Sequence, residues 1–326
     1  MKFSVYQVSR QGGRAVNEDR LGYCYTRDAV LLVLADGLGG HPDGEVAAEL
    51  AVNTFSRRFL AAASPDLPDV RRFLMDALLA AHQAILDYAQ AARMEDNPRT
   101  TVVAAVVQGG RFTSIHSGDS RLYWLRQGEV LDRTRDHTLH EQLSGEAAWA
   151  GSTPPPTSGV VASFSPSHLE AGQANRNILF TCLGSPGLPL FDASQAQALE
   201  EGDRLLLCSD GVWGVQDDAQ LAGRLRDAPL KQAAAGLAEA SVAAGGRHAD
   251  NTSLILFEWQ TPPDFPETQV IQTGEMAADD FASTIQMAPA AEALAELDAF
   301  DDEAIERSIA EINEAIRRTA ASKLNR

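Results

Sequence analysis

The chain of 326 residues is poor in cysteine, in basic residues and in long apolar runs. Its three cysteines, Cys24, Cys182 and Cys208, are far apart and odd in number, which favours small core residues in a reducing compartment over disulfides or a zinc site. Lys and Arg number 27 against 45 Asp and Glu, and no basic patch with interleaved aromatic residues occurs, so no nucleic acid partner is expected. No apolar run approaches the length of a membrane span, and the first residues lack a signal-peptide core. These absences predict a cytoplasmic protein with no membrane partner.

Acidic residues recur at the ends of predicted strands, with Gly or Asn beside them. The four cases are Asp36 in LLVLADGLGG, Asp119 in SIHSGDSRLYWL, Asp210 in DRLLLCSDGVWG and Asp250 in HADNTSLILFEW. Clustered carboxylates repel each other and are costly to bury unpaired, and no basic residues occupy similar strand ends. Mg²⁺ and Mn²⁺ prefer carboxylate oxygen and water as ligands. The pattern therefore predicts a site for a hard divalent cation.

The strand and helix patterns predict an α+β fold. Apolar runs flank Gly109-Gly110 and Gln127-Gly128, which is typical of antiparallel hairpins and disfavours a parallel nucleotide-binding sheet. Helical periodicity extends through two neighbouring segments, 44–60 and 69–89, and two further helices fit 218–226 and 230–244. Antiparallel strands with helices in separate groups indicate a layered domain. Residues 145–172 are rich in Ser, Pro and Gly and are interpreted as a surface insertion, a flap beside a site.

Composition changes near residue 260 and predicts three regions. Residues 1–260 form the predicted catalytic domain, and residues 261–290 an acidic flexible linker with little apolar material. After residue 261, acidic residues outnumber basic ones fourteen to five. Residues 291–326 are predicted to contain an amphipathic helix, which docks either on its own catalytic domain or on a partner.

Six short motifs occur in a family order and carry a resemblance. They are Arg14 with NED, ADGLGGHPDGEVAA, GDSRLYWLR, TRDHTL, SDGVWG and DNTSLIL. Together they resemble the bacterial branch of the type 2C (PPM family) metal-dependent serine/threonine protein phosphatases, over residues 3–258. The resemblance implies a central sandwich of two antiparallel β-sheets flanked by helices, which agrees with the predicted hairpins.

The family pattern, carried over by position, implies a metal and phosphate site. Metal-binding roles fall to Asp36, Gly37 through its carbonyl, Asp210, Asp250, Asp119 and Glu18. Asp36 would bridge two Mn²⁺ or Mg²⁺ ions, Asp119 would bind a weaker third ion together with Asp210, and Glu18 would act through water. Arg14 would bind the substrate phosphate, because its planar fork suits phosphate oxygens.

The implied reaction is hydrolysis of phosphoserine and phosphothreonine in proteins by a water activated between two metals, in opposition to a serine/threonine kinase. The chain departs from the pattern at Leu38, where eukaryotic relatives have His, so the general acid is unassigned. It also has Arg99-Thr100-Thr101 where the family often has Gly-Thr-Thr. The strongest alternative is a catalytically silent binding or sensing module. The absence of the metal-binding acidic residues would indicate such a module.

Haloacid-dehalogenase and P-loop enzymes are disfavoured. The first needs a second Asp at position 38, and the second needs a G-x-x-x-x-G-K-[ST] motif that this sequence lacks. His137 is interpreted as packing or capping near the insertion.

Two linker threonines are hypothetical phosphorylation sites. Thr268 and Thr284 are each followed three residues later by a large apolar residue, Ile271 or Met287. Such phosphothreonines suit recognition by a forkhead-associated domain, which would make a protein carrying one a partner of the tail.

Overall fold

Two β-sheets stacked face to face form the centre of the molecule in the computed structural model, which describes residues 1–143, 178–226, 228–260, 269–271 and 284–286. The strands are β1 (Lys2–Arg10), β2 (Asp19–Tyr25), β3 (Ala29–Asp36), β4 (Val102–Gln108), β5 (Arg111–Ser117), β6 (Arg121–Arg126), β7 (Glu129–Arg133), β8 (Asp192–Ala193), β9 (Gln197–Ala198), β10 (Arg204–Cys208), β11 (Thr252–Trp259), β12 (Gln269–Ile271) and β13 (Thr284–Gln286). One sheet has the order β12-β1-β11-β10-β6-β7, and the other has the order β13-β2-β3-β4-β5-β8, with β9 also paired to β5.

The predicted α+β sandwich is confirmed. The β4–β5 hairpin turns at Gly109 and Gly110, both with positive φ, and the β6–β7 hairpin turns at Gln127-Gly128. Every pairing among the strands β1 to β11 is antiparallel. The later strands β12 and β13 pair in parallel, β12 with β1 and β13 with β2. Strands β2 to β5 and the β6–β7 hairpin pair locally, whereas β1, β10 and β11 pair with strands far away in sequence, and one short later strand lies at an edge of each sheet.

Alternating side chains of the strands fill the space between the sheets. β3 is buried along almost its whole length, because it lies inside its sheet with both faces covered. Its Leu32 and Leu34 pack into the sandwich, where they meet residues such as Ile255 and Phe257 of β11. Leu31 and Val33 point the other way, towards a layer of helices. A continuous apolar run is thus what a doubly covered strand requires.

Helices cover the outer face of each sheet. They are α1 (Gly44–Ala62), α2 (Val70–Ala91), α3 (Leu139–Leu143), α4 (Asp210–Trp213), α5 (Asp218–Leu225) and α6 (Leu230–Gly245). α1 and α2 pack on the sheet that contains β3, and α4 to α6 pack on the other sheet. The four predicted helical segments are confirmed as α1, α2, α5 and α6. Each begins where its apolar stripe begins; for α2, the carboxylate of Asp69 caps the backbone N–H of Arg72.

The three cysteines are free and buried, as predicted. Within the described part of the chain, no helix is long and apolar enough to cross a bilayer.

The C-terminal region is described only in part. Two short strands, β12 and β13, lie within the range predicted as a linker. The insertion at 145–172, the predicted helix after residue 290 and Thr268 lie outside the described residues. Thr284 begins β13, opposite Leu21 of β2. The three-region division and the phosphorylation sites stay predictions.

Packing between α1 and α2 gives a stability test. Phe59 is fully buried and meets Phe73 edge to face, with ring centroids 6.0 Å apart. We expect Phe59→Ala to lower the free energy of unfolding by about 3–5 kcal/mol, because it leaves a cavity in a packed layer. Urea unfolding measures this, with Leu188→Ala as the control, since Leu188 is 82% exposed and should change stability by less than about 0.5 kcal/mol. Equal losses for the two variants would contradict this description of the core.

Candidate metal site

Five carboxylates from separate strand ends share one end of the sandwich. They belong to Asp19 at the start of β2, Asp36 at the end of β3, Asp119 between β5 and β6, Asp210 after β10 and Asp250 before β11. The carboxylate of Asp36 is close enough to the other four for each of them to repel its charge. Register explains the first pair, because Asp19 lies directly opposite Asp36 in the β2–β3 ladder. The structure therefore brings together all four acids singled out in the sequence, with a fifth.

Burial and mutual repulsion make four of these carboxylates, those of Asp19, Asp36, Asp119 and Asp210, poor anions in the protein alone. The pKa values of Asp36 and Asp210 are raised well above the ordinary value, first by burial and then by the neighbouring carboxylates. Burial raises the pKa of Asp19 to about 6 and that of Asp119 to about 7. Arg14 opposes the effect at Asp210, but only as a minor cause. The site has an excess of negative charge that a cation would relieve.

The donor atoms fit a hard divalent cation. Asp19 is fully buried; its Oδ2 accepts a hydrogen bond from the Ser209 hydroxyl at 2.9 Å, while its Oδ1 has no hydrogen-bond partner. All the donors are carboxylate oxygens, the type that Mg²⁺ and Mn²⁺ prefer. No three of these carboxylates place oxygens within 4.8 Å of one another.

The neighbouring Thr100-Thr101 pair holds the backbone at Asp36. The Thr100 hydroxyl and the Thr101 backbone N–H both donate to the Asp36 carbonyl, at 2.8 and 2.9 Å. The Asp36 N–H donates to the Thr101 hydroxyl at 3.2 Å. Gly37 follows where α1 packs closely: a Cβ there would lie 2.5 Å from the Gly44 backbone. Thr100 and Thr101, of the segment in which Arg99 replaces the usual Gly of the family, thus fix the end of β3.

The Asp119 turn is held from several sides. The indole N–H of Trp213 donates to the Asp119 carbonyl at 3.0 Å. Arg121 stacks over the Trp213 ring at 3.7 Å, and its guanidinium makes two hydrogen bonds to Asp136, at 2.7 and 2.8 Å. The Ser120 and Thr101 hydroxyls hydrogen-bond at 2.6 Å, which links this turn to the end of β3. These contacts fix the turn independently of any ion.

Arg14 lies at the rim of the site, on the loop before β2. Its Nη2 donates to Oδ2 of Asp250 at 2.6 Å, with the two side chains 54% and 33% exposed. Asn251 holds this loop, because its Oδ1 accepts from the Glu18 N–H and its Nδ2 donates to the carbonyls of Gln11 and Val16. The guanidinium is therefore at the acid cluster and accessible to an anion.

Glu18 lies beside the first turn of α1, with its carboxylate close to Gly44. Its pKa is raised, first by burial and then by repulsion from Glu45. Glu18 is thus next to the predicted site but is not among the acids that repel Asp36 most. An indirect, water-mediated contact with an ion agrees with this peripheral position.

Sequence reasoning undervalued two residues of the site. Asp19 lies in the NED motif but was not singled out as a metal ligand, yet it is the most buried carboxylate of the cluster. The sequence contained a signal, since Asp19 begins a strand that pairs with the one ending in Asp36. Asn251 was noted only as a neighbour of Asp250, and its three hydrogen bonds to a distant loop could not be inferred from local pattern.

The family profile described as protein phosphatase 2C matches residues 7–239. A serine/threonine protein phosphatase of Mycobacterium tuberculosis, PstP, is 31% identical over 279 residues, which cover 83% of this chain and 48% of that protein. The chain thus spans about half the length of this relative. It belongs to the protein phosphatase 2C family.

Solved structures agree with this assignment. The structure of M. tuberculosis PstP/Ppp is 28% identical to this chain, with a TM-score of 0.62. The match covers 79% of this chain and 99% of the chain in that structure. A structure of the PstP catalytic domain in complex with two manganese ions is also 28% identical, with a TM-score of 0.61. The match covers 78% of this chain and 97% of the chain in that structure.

The raised pKa values predict how stability depends on pH without metal. For Asp19 and Asp119 the folded pKa, about 6 and about 7, exceeds the ordinary value of 3.8, so the folded state binds more protons than the unfolded state between these pH values. The free energy of unfolding in chelator should therefore fall as pH rises from about 4 to 7. Urea unfolding of the wild type and of Asp19→Asn across this range checks the prediction.

The comparison with Asp19→Asn cancels titration elsewhere in the chain. The wild type should lose stability more steeply with rising pH than the variant, and saturating Mn²⁺ should reduce the difference. A wild type that gains stability relative to Asp19→Asn as pH rises would show that Asp19 is not destabilised as an anion.

Proposed function

We propose that this chain is a protein-serine/threonine phosphatase that hydrolyses phosphoserine and phosphothreonine with the help of two bound Mn²⁺ or Mg²⁺ ions. The observation that carries the proposal is the cluster of five carboxylates beside an accessible arginine, at one end of a protein phosphatase 2C fold. The name of the M. tuberculosis relative and the manganese bound by a PstP catalytic domain support it.

Each residue of the site has a proposed role. Metal-binding roles fall to Asp36, Gly37 through its carbonyl, Asp210, Asp250, Asp119 for a weaker third ion, and Glu18 through water. We add Asp19, because its buried Oδ1 lacks a partner and its register places it opposite Asp36. Asp36 would be the ligand shared by the two ions, a role that the family pattern implies and its central position among the other four carboxylates supports.

When bound, the ions would lower the pKa of a coordinated water towards neutrality and stabilise charge on the phosphoryl oxygens. The chain's own contribution is to position the reactants. Arg14 would exchange part of its ion pair with Asp250 for the substrate phosphate, which it can grip with two parallel N–H groups. Asp36, fixed through its backbone by Thr100 and Thr101, would keep the acid cluster in register with that phosphate.

The thiols are unsuited to nucleophilic catalysis. Burial raises the pKa of the Cys208 thiol far above its ordinary value, and burial raises that of Cys182 as well. A thiolate would therefore be scarce at neutral pH next to this site. Direct attack by water, without a covalent phosphoenzyme, is the mechanism that this set of side chains favours.

The proposed substrates are phosphoproteins, and the proposed counterpart is a serine/threonine kinase in the cytoplasm. If that kinase phosphorylates Thr268 or Thr284, the tail would become a ligand for a forkhead-associated domain protein. Mass spectrometry of Asp36→Asn protein treated with the kinase tests this point, because an inactive phosphatase cannot remove its own marks.

The two-metal proposal predicts opposite effects of one substitution on activity and on stability. Asp36→Asn should lower hydrolysis of a phosphothreonine peptide in Mn²⁺ by at least about 100-fold, since even outer partners of metal ligands matter up to that extent. In chelator, the same variant should unfold at a higher temperature than the wild type, because it removes a repelled carboxylate. Phosphatase activity that survives both chelation and Asp36→Asn would eliminate the two-metal mechanism.

Arg14 tests phosphate recognition separately. Arg14→Ala should raise KM for a phosphothreonine peptide by roughly tenfold or more, as expected for the loss of a charge-assisted hydrogen bond worth about 1.5–3 kcal/mol. Mn²⁺ affinity should change much less. The control is Arg247→Ala, because Arg247 is exposed beside the same loop and its guanidinium contacts His248 instead of the acids. Equal KM values for the Arg14 variant and the wild type would place Arg14 outside phosphate recognition.

A further inference from the structure

A second polar cluster, consisting of the buried His116 and His137 and the half-exposed Asp192, lies beside the Asp119 turn. The two imidazole rings are stacked, with centroids 4.5 Å apart and planes inclined by 19°. Register places His116 opposite Asp192, and Nε2 of His137 lies 3.3 Å from Oδ2 of Asp192. In the described part of the chain, this is the set whose ligand atoms all lie within 4.8 Å of one another, as in a metal site.

Hydrogen bonding to the rings argues against a metal there. Nδ1 of His137 accepts a hydrogen bond from the backbone N–H of Gly118 at 3.2 Å, so this nitrogen carries no proton. The proton of the neutral ring is then on Nε2, where it faces Asp192. A metal at Nε2 would leave both ring nitrogens without a proton, which a neutral imidazole does not allow.

The neighbouring ring supports the same protonation state. Nε2 of His116 lies 2.7 Å from the carbonyl of Arg135, to which it donates. Burial, followed by the neighbouring His137, lowers the pKa of His116 to about 3, so this ring is neutral at physiological pH. Two stacked neutral rings, one of them oriented by a carboxylate, form a hydrogen-bond arrangement and not a cation site.

His137 contacts both peptide units that meet at Gly118, and its ring accepts from the N–H of the Ser117–Gly118 unit. Besides the bond to its ring, its own backbone N–H donates to the Gly118 carbonyl at 3.0 Å. Gly118 has a φ of +107°, and a Cβ at this position would lie 2.7 Å from the Thr101 side chain. The residue that follows is Asp119. Its carbonyl is held by Trp213, and the backbone N–H of His137 holds the Gly118–Asp119 peptide unit on the opposite side of the Asp119 Cα.

We propose that His137, oriented by Asp192 and stacked on His116, is a positioning residue for Asp119. Its ring fixes the Ser117–Gly118 peptide and its backbone N–H fixes the Gly118–Asp119 peptide, which together place the carboxylate of Asp119. This inference rests on the proposed function in one respect, the role of Asp119 in binding the weaker ion. Without an acceptor at Nδ1, the Gly118 N–H would be buried and unsatisfied, and the turn would relax to recover a partner.

Three substitutions of His137 separate its two hydrogen bonds. Asn places its Oδ1 where Nδ1 was and keeps the acceptor for Gly118. Gln reaches towards Asp192 but offers no acceptor at the Nδ1 position, and Ala loses both contacts. For His137→Ala and His137→Gln, the Mn²⁺ concentration that half-saturates the weakest site should rise about tenfold, whereas His137→Asn should stay within about threefold of the wild type.

The measurement uses the full chain and two readouts. Mn²⁺ binding is followed by electron paramagnetic resonance, and the Mn²⁺ dependence of phosphothreonine-peptide hydrolysis is followed in parallel. His82→Ala is the matched control, because Nδ1 of buried His82 likewise accepts from a glycine N–H, that of Gly184, at 3.1 Å. It should lower the unfolding temperature as His137→Ala does, but leave the weak Mn²⁺ site unchanged.

The outcomes decide the proposal. Failure of His137→Asn to restore the weak site, or wild-type Mn²⁺ binding by His137→Ala, would overturn it. A ¹⁵N spectrum of the metal-free wild type that shows the His137 proton on Nδ1 would also overturn it. A wild type that binds Mn²⁺ but hydrolyses no phosphopeptide would refute the proposed function, while the binding readout would still test the role of His137.

Discussion

Repulsion among buried carboxylates is the constraint on which the site depends. Burial and the neighbouring acids raise the pKa values of Asp36 and Asp210 well above normal, and Asp19 has an oxygen without a hydrogen-bond partner. A sandwich with apolar layers on both faces of each sheet provides the rigidity that holds such groups together. The same arrangement that disfavours the charged carboxylates would provide the binding energy for a divalent cation under the proposed function.

The supporting contacts explain why each sequence motif extends beyond its acidic residue. Asp36 needs Thr100 and Thr101 to fix its backbone, and Asp119 needs a turn held by Trp213 and His137. Precise placement of ligands requires such a surrounding shell of hydrogen bonds. The residues of the proposed site are therefore spread over the chain, although the acids themselves lie at one end of the fold.

Much of this could be predicted from sequence because the signals are local. Apolar runs that end in Asp-Gly indicated Asp36 and Asp210 at strand ends, and Gly109-Gly110 indicated a hairpin. Asp19 was not singled out as a direct metal ligand and the hydrogen bonds of Asn251 were not predicted, because their importance arises from strand register and from a loop more than 200 residues distant in sequence. The stacked pair of His116 and His137 also comes from tertiary packing, to which no local pattern refers.

Anomalous diffraction from crystals grown with Mn²⁺ tests the central claim most directly, because it locates the ions without relying on activity. We expect two strong manganese peaks with Asp36 between them, Asp210 and Asp250 beside one of them, and a weaker peak near Asp119. Manganese absent from this acid cluster at saturating concentration, or bound without contact to Asp36, would contradict the account.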